Sequence, residues 1–311
     1  FEFGCGQDRG ASSAAQAWHA RLHLLAVATT DGELDVYDEE GNRIANLSPN
    51  ASLASSQALM TDGDSHPPYG GPTPSTSATT AGATPVVSVL AWHPFDPVLV
   101  YGWDSGVIGM ASLTPSGPAV TPKSYPHPGR TPDAPLSVLV WSHDGARLVS
   151  GTVAGDVAVW YHEPALDELV VEQEYALHEA VTHVVFRQTP TPSPSGGEVL
   201  VPAAGHAFFV ATAVGVITLA DQYGQATQAF TVSSELRVFE FEPWSQQFVT
   251  ITANLIVARH ALGPDGTIKL KMKAKFATAA RNAGGLLGTW TVPNVLATVA
   301  NEPMVRMWNT A

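Results

Sequence analysis

The segment Leu148-Val-Ser-Gly-Thr-Val-Ala-Gly-Asp-Val-Ala-Val-Trp160 decides the fold. Two short runs rich in β-branched and apolar residues flank a tight turn at Gly155, which reads as a β-hairpin. Trp141 closes another apolar run 14 residues before that glycine. Working outward, the same ruler recurs. Trp18 to Gly32 is 14 residues, and so is Trp92 to Gly106. Phe186 to Gly215 is 29, which is 14 plus an insertion of 15. Phe241 to Asn254 and Trp290 to Pro303 are both 13. No window sustains helical periodicity for three turns. Ala165 to Ala176 comes nearest, and its Leu169, Val170 and Val171 suit a strand equally well.

Six such units, each built of short strands and turns, predict an all-β chain. Sheets repeating about every 40 residues or more are the signature of a β-propeller, in which neighbouring sheets bury each other's faces. The hairpin at 148–160 resembles the second and third strands of a WD repeat. His178 falls where that repeat's loop histidine precedes the next unit. Thr29-Thr30-Asp31-Gly32, followed by Tyr37, resembles the same hairpin in the first unit. In the WD family a Ser/Thr, a turn Asp, a Trp and the loop His form a hydrogen-bonded brace. The resemblance places Thr29, Asp31 and Tyr37 in it in unit one, and Thr152 and Trp160 in unit three. Trp18, Trp92, Trp141, Trp160, Trp290, Asp31 and His178 are the expected structural residues of the units.

Composition bounds the rest. The 311 residues are 45% hydrophobic, with a mean hydropathy of +0.06 and no run of about 18 apolar residues, so no transmembrane span is predicted. The net charge of −13 argues against a nucleic-acid partner. A single cysteine, Cys5, excludes a disulfide framework and a multi-cysteine zinc site. No signal peptide is read at the start. Gly (27) and Pro (24) are in excess, and three stretches account for much of it. Residues 48–85, 114–135 and 188–205 read as low-complexity insertions between or within units.

No phosphate loop and no nucleophile elbow is present. Gly284-Gly285-Leu286-Leu287-Gly288 lacks the spacing that cradles a pyrophosphate. His178 and His183 are five apart, not four, so they do not form a zinc-binding helix face. No catalytic, cofactor or metal residue is assigned, and the chain is expected to be no enzyme. Two charge features stand out. Lys269, Lys271, Lys273 and Lys275 are four of the five lysines and fall at period two, which puts them on one strand face. They read as an edge guarded against pairing, or as a contact for an acidic partner or anionic lipid. Glu163, Asp167, Glu168, Glu172 and Glu174 lie in a stretch without Lys or Arg. They read as a solvated face or an acidic docking surface.

An ordered set of motifs is more specific than any one of them. Val89-Leu-Ala-Trp-His-Pro94 precedes Val98-Leu-Val-Tyr-Gly-Trp-Asp-Ser-Gly106, then Val138-Leu-Val-Trp-Ser-His-Asp-Gly145. Glu174-Tyr175, Thr182-His-Val-Val-Phe-Arg187 and Met304-Val-Arg-Met-Trp308 follow. In this order they resemble the N-terminal WD-repeat propeller of the roughly 140-kDa-type core subunit of intraflagellar transport complex A. The resemblance implies a seven-bladed propeller, of which six units are visible over residues 1–311. It also implies a second propeller and a helical-repeat tail beyond Ala311. The expected role is a non-enzymatic scaffold in retrograde ciliary transport, cilium assembly and membrane-cargo entry. Its partners would be the other complex A subunits, membrane-cargo adaptors and anionic lipid. Its location would be the cilium or flagellum and basal body, with a cytoplasmic pool. The alternative is a WD-repeat substrate receptor of a ubiquitin ligase, or a vesicle-coat subunit.

Overall fold

The computed structural model describes residues 13–48, 85–113, 122–131, 133–263, 266–275, 286–292, 295–300 and 305–309. Cys5, most of the 48–85 insertion, residues 114–121, the Gly284-Gly285 pair, Pro303 and the side chain of Trp290 lie outside that description.

Among the described residues six antiparallel sheets of three or four strands follow one another, with a separate two-stranded hairpin. The first holds β1 (Ser13–His19), β2 (Leu24–Thr29), β3 (Leu34–Tyr37) and β4 (Arg43–Asn46). The second holds β5 (Val87–Trp92), β6 (Val98–Trp103), β7 (Val107–Ser112) and β8 (Lys123–Pro126). The third holds β9 (Leu136–Trp141), β10 (Arg147–Thr152), β11 (Asp156–Glu163) and β12 (Glu168–Ala176). The fourth begins with β13 (Val181–Phe186), then a two-stranded hairpin of β14 (Gln188–Pro192) and β15 (Glu198–Pro202). It resumes with β16 (Phe208–Thr212), β17 (Val216–Ala220) and β18 (Ala226–Thr231). The fifth holds β19 (Leu236–Glu242), β20 (Gln247–Thr252), β21 (Ile256–Leu262) and β22 (Ile268–Lys275). The sixth holds β23 (Leu286–Val292), β24 (Val295–Ala300) and β25 (Val305–Asn309).

The first strands of successive sheets lie side by side: β1 with β5, β5 with β9, β9 with β13, β13 with β19, and β19 with β23. This is radial packing, and the apolar core sits between sheets. Leu34 and Val36 of the first sheet pack with Leu99 and Tyr101 of the second. Val100 and Met110 of the second pack with Leu139 and Trp160 of the third. In the second to fifth sheets the strand next to the innermost one is buried almost throughout, because sheets cover both its faces, and its sequence is correspondingly apolar. The outer strands are mostly exposed.

The turn residue of each ruler takes a left-handed conformation. Gly32, Gly106, Gly155 and Gly215 have φ of 87°, 74°, 89° and 82°. Each amide donates to the carbonyl three residues back, on Thr29, Trp103, Thr152 and Thr212. In the fifth sheet that place belongs to Leu255 (φ 62°), whose amide donates to the Thr252 carbonyl, and not to Asn254. The spacing from Phe241 is therefore 14, and the apparent shortening came from taking a polar residue for the turn position.

Two insertion readings are corrected. Within 114–135, residues 123–126 are strand β8, the outer strand of the second sheet. Residues 188–205 are an ordered hairpin, not an irregular loop. The region around 165–176 is strand β12.

The brace is also rearranged. The indole N–H of Trp160 donates to Ser150 Oγ at 2.8 Å, not to Thr152. The Thr152 hydroxyl instead accepts from the Asp156 amide and holds the turn. The histidine beside Trp160 is His127, with ring centroids 6.4 Å apart, and burial holds it below the ordinary imidazole value. His178 is exposed, with φ 63°, and contributes its backbone, which packs over Gly155. In the sixth sheet Trp308 donates to Thr298 Oγ1 at 2.8 Å, repeating the ten-residue separation of Trp160 and Ser150. In unit one Thr29 donates to the Asp31 carboxylate, while Tyr37 donates to Asp35 at 3.3 Å. Trp160→Phe is expected to cost about 1–2 kcal/mol, because Ser150 is fully buried and loses its donor. The combined Ser150→Ala, Trp160→Phe variant should cost less than the sum, measured by urea denaturation.

Candidate functional site: turns and outer edges

Side chains in the turns near the first and second strands tie the first five sheets in series. His19 Nε2 donates to the Asp96 carbonyl at 3.1 Å, while its Nδ1 accepts the amides of Arg21 and Leu22. His93 repeats the pattern: Nε2 donates to the Gly145 carbonyl at 3.2 Å, and Nδ1 accepts the amides of Phe95 and Asp96. Both rings use one nitrogen as donor and the other as acceptor, which requires the neutral form. Burial pushes His93 below its ordinary value, in the same sense. Arg187 Nε donates to Gln246 Oε1 at 3.4 Å, and His206 meets Asp144 at 2.9 Å. Of these linking groups, His19 and His93 were legible in the sequence as Trp-His dipeptides.

The lysines all sit on β22, the outer strand of the fifth sheet, and all four are exposed. They do not share one face. Lys269 pairs with Ala261 and Leu270 with His260, but Met272 pairs with Arg259 and Lys273 with Ala258. The register shift between Arg259 and His260 is a β-bulge, and it inverts the alternation. Lys269 falls on one side of the sheet, Lys273 and Lys275 on the other, and Lys271 at the bulge. A bulge recurs between third and fourth strands at Val36/Tyr37, Val159/Trp160 and Ile217/Thr218. The result is a basic rim about 20 Å long at roughly 3.3 Å per residue. Among the described residues no carboxylate pairs with these lysines.

The acidic stretch is partly spent on internal contacts. Glu172 meets Arg147 at 2.6 Å and Glu168 meets Lys123 at 3.7 Å. Asp167 accepts from Ser112 Oγ at 2.6 Å and lies 3.6 Å from His162. Glu163 accepts the Ala165 amide. The stretch lacks cations of its own, but neighbouring strands supply them. Glu174 is left exposed on the outer strand. Of the tryptophans, Trp141 and Trp160 are buried, Trp92 is half-buried, and Trp18 is 49% exposed.

Among the described residues no cluster of three metal-ligating side chains occurs, and no helix is long and apolar enough to cross a membrane.

Comparisons with known proteins fit this geometry. The chain resembles many solved structures. One, titled as the crystal structure of the mitotic checkpoint complex, matches with a TM-score of 0.63 at 14% identity, covering 97% of this chain and 76% of that one. Another, the computationally designed Ika8 protein, matches with a TM-score of 0.61 at 14% identity, covering 96% and 71%. At that identity the likeness shows the fold, a WD40-type β-propeller, and nothing of function. Residues 195–311 match the family described as the IFT140 first beta-propeller. That match spans 117 of the 311 residues and is a likeness of this part of the chain to that propeller.

Proposed function

We propose that this propeller is a non-enzymatic scaffold of intraflagellar transport complex A, serving retrograde transport, cilium assembly and entry of membrane cargo. The family match over 195–311 carries the reading. The segment it covers includes the basic rim, the one concentration of lysine on a chain of net charge −13. Docking of that rim on an acidic surface of a partner subunit or cargo adaptor, or on anionic lipid, is the mechanism proposed. The protein would then be found in the cilium and basal body, with a cytoplasmic pool. Co-purification from isolated cilia with the other complex A subunits tests the assignment, and absence from that complex sinks it.

Changing Lys269, Lys271, Lys273 and Lys275 together to Glu should weaken a salt-sensitive contact. Each lysine near an anionic surface contributes about 1 kcal/mol before screening. Thermal stability should stay within about 0.5 kcal/mol per site, since the side chains are exposed. Unaltered complex assembly and cargo entry in that variant would leave the rim as an edge guard only.

A further inference from the structure

We propose that the cleft between the first two sheets, at the ends of β1 and β5, binds a short extended peptide containing proline and a carboxylate. This site lies apart from the lysine rim and does not depend on it. The cleft is open, with a volume of about 280 Å³, and Trp18, Arg21, Trp92, Pro94, Phe95 and His143 line it. Sites for drug-sized ligands start at about 300 Å³. This cleft suits two or three side chains of a linear segment better than a cofactor.

Its frame is preorganised. The Trp92 indole donates to the Ala17 carbonyl at 3.0 Å, and His19 donates back to the Asp96 carbonyl at 3.1 Å. These reciprocal bonds staple the two turns together. His93 fastens the second turn to the third sheet through Gly145. Trp92 and the two turns are therefore held in place before any ligand arrives, which lowers the ordering cost of binding.

The lining specifies the ligand. Trp18 is 49% exposed and Phe95 36% exposed. Exposed aromatic rings beside a proline form the surface on which polyproline II segments dock. Such a segment has no internal hydrogen bonds, so its carbonyls need donors. The Trp18 indole N–H makes no hydrogen bond within the described residues and is available as one.

Arg21 supplies the charge preference. Its guanidinium stacks 4.5 Å from the centroid of Phe95, which fixes it at the cleft wall. Arg43, Arg147 and Arg237 each meet a carboxylate, but among the described residues Arg21 does not. Asp96 lies 3.3 Å from His93 and Glu39 lies 3.3 Å from His23, and neither forms an ion pair with Arg21. A ligand carboxylate would complete the pair with Arg21.

The test is selection of a displayed random-peptide library on the 311-residue chain. Anisotropy titration of the labelled, enriched peptides at low and high salt follows. Enrichment of sequences that place Asp or Glu within a few residues of Pro is expected. Trp18→Ala and Arg21→Glu should each weaken binding at least tenfold with unchanged thermal midpoints, and Arg21→Lys should recover part of it. Selection on Arg21→Glu should yield Lys- or Arg-containing peptides instead. No enrichment, enrichment without proline or carboxylate, or full affinity in Trp18→Ala overturns the proposal. So does loss of binding in the quadruple Lys→Glu variant, because that would place the peptide on the β22 rim.

Discussion

Phe248→Ala is expected to destabilise the protein by about 3–5 kcal/mol, a large part of the 5–15 kcal/mol by which domains are usually stable. Phe248 is fully buried on β20 at the centre of an aromatic cluster that joins the fourth and fifth sheets. Phe209 meets it edge-on with centroids 4.6 Å apart, and Phe239 stacks on it at 5.7 Å with planes 13° apart. Phe241 lies at 5.1 Å and Phe230 at 6.0 Å. Truncation removes the transfer free energy of the ring and leaves a cavity walled by other rings. These are anchored on three strands, β16, β18 and β19, and close the gap only in part. Each aromatic pair adds about 0.5–1.5 kcal/mol beyond area burial. Phe248→Leu keeps most of the volume and should cost clearly less. Urea denaturation measures the difference. Hydrogen exchange should show the loss of protection first in β16 to β21, because the cluster lies between those sheets. A cost below about 1 kcal/mol for the alanine variant would mean that the cluster is not packed as described.

How much of this was legible in the sequence depends on which residues carried it. The ruler from Trp141 to Gly155 could be read because glycine marks a left-handed turn, and most units use one. Leu255 broke that code: nothing in a leucine announces φ of 62°, so the unit looked one residue short. The lysine face failed for a related reason. Period two holds only while the ladder is regular, and the bulge at Arg259/His260 has no sequence marker. The brace was half legible. Trp160 was identifiable from its place after the turn, but Ser150 and Thr152 are equally plausible hydroxyl partners in the same strand. They lie two residues apart, so chain order alone does not separate them. The acidic stretch looked unpaired because Arg147 and Lys123 reach it from strands distant in sequence. The cleft was hardest to see. Its aromatics were read as repeat markers, and only packing shows that Trp160 is 2% exposed while Trp18 is 49% exposed.

Gly155→Ala is the second variant with a large expected effect, about 3 kcal/mol of destabilisation, in two parts. A φ of 89° costs a residue bearing Cβ roughly 1–2 kcal/mol. The remainder comes from contact. A Cβ at Gly155 would lie 2.5 Å from the Glu179 amide nitrogen, 2.7 Å from the Glu179 carbonyl oxygen and 2.9 Å from the His178 nitrogen. All three are backbone atoms of the connection between the third and fourth sheets, so no side chain can swing aside. The same connection is tied to the turn by the Leu177 amide, which donates to the Gly155 carbonyl at 2.9 Å. Pushing it outward strains that bond and the His178 backbone, which already has φ of 63°. Gly41→Ala is the matched control. Gly41 has φ of 83° but nothing within 4 Å of a new Cβ, so it should lose only the conformational part. The difference between the two variants, read from denaturant midpoints at equal slope, isolates the contact term. Equal losses would show that backbone angle alone sets the requirement for glycine. Leu255 argues against that outcome, since the equivalent turn in the fifth sheet carries a full side chain at φ of 62°. What makes glycine necessary at 155 is then the chain that passes over it, which couples the central turn of one sheet to the start of the next.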